Sequence, residues 1–159
     1  RAADFASIPV DNFGYNKDSG TVVVDFKSNK IISETYGCFV LSDGTSSNRL
    51  GHYTTSTQHK VFVINEGSSV ADLVAGNRPA SDELLKFSFA FAEDNFTASL
   101  NGTLGGTDTS GAVPVGISLL GIGHFFPGNT NSNTINGHIK SIKYYPRRLS
   151  NTQLQELTT

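Results

Sequence analysis

The chain has 159 residues and a formal net charge of −2, from 12 Lys or Arg against 14 Asp or Glu. Its charges are spread along the chain and Arg147-Arg148 is the one basic cluster, so the electrostatic footprint of a nucleic-acid binder is missing. No apolar run approaches a membrane span and no signal-peptide pattern opens the chain, which argues against membrane insertion.

The length suits a single domain over residues 1–159, large enough to bury a core without disulfides. The lone Cys38 cannot form an intrachain disulfide, and Gly37-Cys38-Phe39-Val40-Leu41 reads as a strand that buries it as a small hydrophobe. The chain begins at Arg1 and contains no Met, which points to a piece of a longer protein.

In chain order, Val22, Val24 and Phe26 fall on one face of a strand. Lys60 to Ile64 is a second strand, Glu66-Gly67 turns the chain, and Val70 to Val74 returns. Phe87, Phe89 and Phe91 then alternate with Ser88, Ala90 and Ala92, a period of two that no helix produces. Glu93-Asp94-Asn95 makes the turn, and Phe96, Ala98 and Leu100 repeat the pattern before Asn101-Gly102. The small residues opposite the phenylalanines predict a face that is shallow or closely covered by another layer. Residues Thr103 to Val113, polar and Gly-rich, read as a surface loop. Ile117 to Ile122 reads as a buried strand, and Gly128 to Thr134 as a long polar loop. With no repeats and almost no helical periodicity before residue 149, the fold class is all-β; periodicity alone leaves sandwich and barrel open.

The end of the chain is more specific. Ser150 at the N-cap and Gln153 at N3 spell a capping box, and Leu149 with Leu154 the matching hydrophobic staple. Leu154 and Leu157 give a short amphipathic helix its apolar stripe, and Pro146 ends the strand before it. The run from Gly137-His138-Ile139 through Tyr144-Tyr145-Pro146-Arg147-Arg148-Leu149-Ser150, with Gln153-Leu154, resembles the closing strand and helix of concanavalin A-like, laminin G-like jelly rolls. Its wording is similar to domains of phage tail-fibre, tailspike and other appendage proteins. The opening residues from Arg1 to Ile8, the run from Gly20 to Phe26, and Phe96 to Gly102 are similar to parts of the same domains. The resemblance implies a two-sheet antiparallel jelly-roll sandwich with one short C-terminal helix. It also implies a place on a virion surface or outside the cell, and a homo-oligomer, commonly a trimer. Members of the family include lectins, glycan-binding modules, adhesion domains and glucanases.

The glucanase members carry carboxylates spaced E-x-D-x-x-E, and glycoside hydrolysis needs such carboxylates close together. No such triplet occurs; Glu93-Asp94 and Asp82-Glu83 are adjacent pairs at a turn and before a strand. There is no G-x-S-x-G elbow and no P-loop, and Gly121-Ile122-Gly123 lacks the third Gly of a dinucleotide fingerprint. His52, His59, His124 and His138 show no metal-ligand spacing. Calcium is the one cofactor to weigh, with Asp43 and Asp108 as weak candidates whose simpler role is turn formation.

Sugars are held by an aromatic face with hydrogen-bonding groups beside it. Trp is absent. Two candidate clusters remain: His124, Phe125 and Phe126 with Asn129 and Asn131, and Arg49 with His52 and Tyr53. The duller account packs Phe125 and Phe126 under their loop or in a subunit contact. Asn95-Phe96-Thr97 and Asn101-Gly102-Thr103 match the glycosylation sequon by pattern only. The expected function is a non-catalytic glycan- or host-receptor-binding domain of a phage tail appendage. The alternatives are a structural, assembly domain of the same appendage and a glycan-degrading enzyme.

Overall fold

A computed structural model describes residues 6–28, 35–79, 83–126 and 133–159. In chain order the strands are β1 (Ala6–Pro9), β2 (Ser19–Ser28), β3 (Phe39–Ser42), β4 (Arg49–Thr54), β5 (Gln58–Asn65) and β6 (Ser68–Asn77). Then come β7 (Leu84–Ala92), β8 (Asn95–Leu100), β9 (Thr103–Asp108), β10 (Leu119–Ile122) and β11 (Gly137–Tyr145), and helix α1 (Asn151–Leu157) follows. They form a six-stranded sheet, β1-β10-β3-β4-β5-β6, and a five-stranded sheet, β11-β2-β7-β8-β9. Every pairing is antiparallel. This is the all-β jelly-roll sandwich that the closing segment implied, with its short C-terminal helix.

The core lies between the sheets and follows from the alternation. Val22, Val24 and Phe26 of β2, Phe87, Phe89 and Phe91 of β7, and Phe96, Ala98 and Leu100 of β8 face inward. They meet Phe39, Leu41, Leu50, Val61, Val63 and Ala71 from the other sheet. Burying each large side chain contributes about 1.5–3 kcal/mol, which gives the sandwich its stability. Cys38 is fully buried, and burial pushes its thiol pKa well up, as for an inert core residue. Two tight turns set register: Glu66-Gly67 (φ 51° and 79°) and Asn101-Gly102 (φ 47° and 75°) have the paired positive φ of two-residue hairpin loops.

Two readings from sequence are corrected. Residues Thr103 to Asp108 are not loop but the edge strand β9, paired with β8. Its Gly105-Gly106 pair hides the alternation, and Gly105 has no room for a side chain. A Cβ there would stand 2.4 Å from the Val74 carbonyl oxygen and 2.6 Å from the Ala75 Cα, where β6 of the other sheet approaches. The strand expected from Ile117 starts at Leu119; Ile117 is buried just ahead of it.

The small outer face of the β7–β8 hairpin is covered, by α1. The Ser150 hydroxyl accepts from the Gln153 N–H, and the Gln153 side chain accepts from the Ser150 N–H, completing the capping box. Leu149 and Leu154 pack against Ala90, and all three are buried.

Candidate functional site

Strand parity decides which side chains reach the surface of the six-stranded sheet. On β4, Leu50, His52 and Thr54 point into the core and are buried, while Arg49 and Tyr53 lie on the outer face. The register sets Tyr53 beside Lys60 of β5, and Phe62 beside Asp72 of β6. The same face therefore carries Arg49, Tyr53, Lys60, Phe62 and Asp72.

The segment after β10 folds over this face. Gly123 donates its N–H to the Cys38 carbonyl (2.7 Å), Ile135 donates to the Gly123 carbonyl (2.7 Å), and Gly37 donates to the Asn133 carbonyl (3.2 Å). These bonds pin both ends of the 123–135 segment beside β3. Two glycines leave space beneath it. A Cβ on Gly37 would stand 2.4 Å from the Phe125 Cβ, and one on Gly121 would stand 2.6 Å from the His124 Cε1. Phe125 thereby reaches Tyr53 and Phe62, with ring centroids 5.8 and 6.1 Å away, and Phe126 lies 5.8 Å from Phe125.

Arg49 holds this arrangement together. Its guanidinium carbon is 4.2 Å from the Phe126 ring centroid and 4.8 Å from that of Phe62. Its Nη1 donates to the Phe125 carbonyl (3.0 Å) and its Nε to the Ser46 carbonyl (3.2 Å). Beside it, Asp72 accepts from the Tyr53 hydroxyl (2.8 Å) and the Lys60 ammonium (2.6 Å). Burial, then Asp72, raises the Tyr53 pKa, so the phenol keeps its proton. Partial burial opposes the Lys60 charge, but Asp72 and Tyr53 outweigh it and hold the ammonium pKa above its ordinary value. The surface is an aromatic shelf edged by a donor, an acceptor and a hydroxyl. It offers contact and hydrogen bonding.

The structure thus joins the two sequence clusters into one. Arg49, Tyr53, Phe125 and Phe126 lie together. His124 sits at the shelf's inner end, buried, with its Nδ1 2.8 Å from the Phe126 carbonyl. Asn129 and Asn131 lie outside the described residues. His52 is not on the surface: it is fully buried on the opposite side of β4. Its Nδ1 accepts from the Cys38 N–H (3.2 Å), which leaves the ring proton on Nε2 to bond His59 Nδ1 at 2.9 Å. The remaining His59 Nε2 is buried with no hydrogen-bond partner among the described residues.

Lys60, Phe62 and Asp72 were not singled out in the sequence. A local sign existed for the first two, since in Lys60-Val61-Phe62-Val63 one parity is the valine core face and the other is not. Asp72 becomes visible only through the β5–β6 register. The calcium candidates both serve turns. Asp43 accepts from the Thr45 N–H and hydroxyl and from the Asn48 amide, and Asp108 from the Ser110 N–H and hydroxyl. Among the described residues no three His, Cys, Asp or Glu side chains converge.

No protein-family model matches the sequence, and no curated protein matches it. Solved structures do. The CBM40 domain of the Ruminococcus gnavus IT-sialidase superposes with a TM-score of 0.75 at 16% identity, over 89% of this chain and 83% of that one. The same domain is also known bound to α2,3-sialyllactose, matching with a TM-score of 0.73 at 17% identity over 91% and 84%. The NanB sialidase of Streptococcus pneumoniae matches with a TM-score of 0.75 at 18% identity over 97% of this chain; the chain spans only 27% of that protein. A heptameric SAP-like pentraxin from Limulus polyphemus matches with a TM-score of 0.65 at 13% identity, over 86% and 68%. At these identities the likeness establishes the fold, a jelly-roll sandwich shared with carbohydrate-binding domains.

Proposed function

We propose that this domain is a non-catalytic glycan-recognition module that holds its ligand on the outer face of the six-stranded sheet. The observation that carries the reading is the shelf itself. Tyr53, Phe125 and Phe126 are half-buried and contiguous, with the Lys60–Asp72 pair at their edge. That combination of flat apolar surface and adjacent donor and acceptor is what a pyranose ring needs. Likeness to the CBM40 domain, whose structure holds sialyllactose, supports a carbohydrate ligand. The phage-like wording of residues Gly137 to Ser150 supports a place on a virion appendage, where the glycan would belong to a host surface.

A hydrolytic role fits less well. Among the described residues the shelf contains one carboxylate, Asp72, already tied to Lys60 and Tyr53, whereas glycoside hydrolysis by a carboxylate pair needs two.

A glycan array probed with the purified domain tests the proposal. Discrete glycans should bind, and Tyr53→Ala should weaken them by at least about tenfold, as expected for an aromatic anchor, with a cooperative melting transition retained. Absence of binding to any glycan or host cell, together with a stable oligomer by light scattering, would favour the assembly role instead. Release of reducing sugar from host polysaccharide would make the domain an enzyme.

A further inference from the structure

Resting on that reading, we infer that the shelf selects a neutral sugar through neighbouring hydroxyl groups, and not an acidic sugar through a carboxylate. A guanidinium grips a carboxylate through two parallel N–H groups on one edge, either Nε with one terminal nitrogen or both terminal nitrogens. Arg49 has Nε committed to the Ser46 carbonyl and Nη1 to the Phe125 carbonyl. Nε has a single N–H, so the edge it shares with a terminal nitrogen is closed, and two of the five N–H groups are committed in all. The Phe62 and Phe126 rings also lie against the group. This arginine holds the 124–126 segment in place, and its Nε fork is closed to a ligand.

Lys60 is in a similar position. Its ammonium lies 2.6 Å from an Asp72 oxygen, and its side chain is only 16% exposed against 45% for Asp72. What the pair shows to solvent is chiefly its acceptor. A sugar carboxylate approaching Tyr53 would meet the Asp72 charge before it met the Lys60 charge, and like charges at contact distance repel.

The same groups suit a neutral ring. Asp72 bonds Tyr53 through one oxygen and Lys60 through the other, and each carboxylate oxygen keeps a lone pair for a sugar hydroxyl. Lys60 keeps N–H donors beside it. Adjacent donor and acceptor can be met by two neighbouring hydroxyls, each giving one hydrogen bond and receiving another. The apolar face of the ring would then lie toward Tyr53 and Phe126.

The experiment compares lactose, galactose, mannose and N-acetylglucosamine with sialyllactose and glucuronate, by calorimetry and on an array read before and after enzymatic desialylation. At least one neutral sugar should bind, desialylation should leave array binding undiminished, and raising the salt should change the affinity little. Asp72→Asn should weaken that sugar by about tenfold, the scale for a bond to a charged acceptor, with the fold checked by thermal melting. Binding lost on desialylation, or Asp72→Asn strengthening sialyllactose, would overturn the inference while leaving a glycan-binding domain. Binding to none of the sugars before or after desialylation would overturn the inference and the glycan reading together.

Discussion

The outer face of the five-stranded sheet is built from Thr21, Ala90, Thr97 and Ser99, whereas that of the six-stranded sheet carries Arg49, Tyr53, Lys60 and Phe62. The first set is small, and α1 closes over it. Most of the buried polar atoms there have a partner, the Ser88 hydroxyl and Arg148 Nε being the exceptions among the described residues. Thr21 donates to the Arg147 carbonyl and accepts from the Leu149 N–H, Thr97 accepts from Arg148, and the Ser99 and Thr158 hydroxyls lie 2.9 Å apart. Among the described residues no helix covers the second face, and its polar groups bond one another at the rim, where water still reaches Asp72. Sealing needs small side chains with satisfied hydrogen bonds; a face meant for a ligand keeps rings and charges at the surface. The two sheets share one core and differ in what lies outside it.

The largest way to break this contrast is to open the sealed side. Leu154 is fully buried against Ala90 and Leu149. Leu154→Ala should therefore cost about 2–5 kcal/mol of folding stability, as other large-to-small core changes do, read as a lower urea midpoint. Tyr53→Ala, on the open side, should cost well under half of that. Equal losses would mean that the open shelf is as much a structural layer as the helix.

The core beneath the two faces should also respond differently to acid. Burial, with each other and Arg78 nearby, pushes the His52 pKa well below its ordinary value, and burial with Arg78 takes His59 to about 3. Phe26, Tyr36 and Phe87 supply rings around the pair and no compensating charge. In the unfolded chain both rings take up protons below about pH 6.5; in the folded chain they do not until far lower. The unfolded state thus binds more protons in this window, so stability is full above pH 6.5 and falls as the pH drops toward 3. The slope approaches about 1.4 kcal/mol per pH unit for each histidine. His52→Gln should remove one proton's worth of that slope. Leu154→Ala, remote from both rings, should shift the curve without changing its steepness, and a slope indifferent to His52→Gln would remove the pair as its source.

What the sequence disclosed depended on how local the determinant was. The Phe87–Phe91 alternation and the Ser150–Gln153 box act within a few residues, so both could be read directly, and the cover over Ala90 could be expected from the small residues alone. Arg49 and Tyr53 stand out by their chemistry, and His52 reads as one of their group because β4 disguises its parity. Its inward positions are Leu50, His52 and Thr54, two of them polar, so the usual apolar alternation is missing. The buried histidine pair that explains those polar positions exists only through the β4–β5 register. The meeting of Arg49 with Phe125 and Phe126 spans more than 70 residues and had no local sign. Gly105 hid β9 for the same kind of reason, a close approach between sheets that are distant in sequence.

The smallest expected effect on stability is the sharpest test of what the open face is for. The Lys60–Asp72 pair is short, yet Asp72 is 45% exposed, and water screens most of its attraction. Pairs of this kind contribute between nothing and about 1 kcal/mol. Lys60→Gln keeps part of the aliphatic stem and still offers a donor in place of the ammonium, so its melting temperature should stay within the error of the parent. Its loss of ligand affinity should exceed its loss of stability, because only the bound state calls on the ammonium's remaining N–H groups beside the Asp72 acceptor. A substitution on the sealed face that spares the fold, such as Gln153→Ala at the exposed end of the capping box, should do the reverse, lowering stability modestly and leaving binding untouched. If Lys60→Gln instead destabilised the domain and left binding intact, the pair would be a strut between β5 and β6. The contrast between the two faces would then lose its functional meaning.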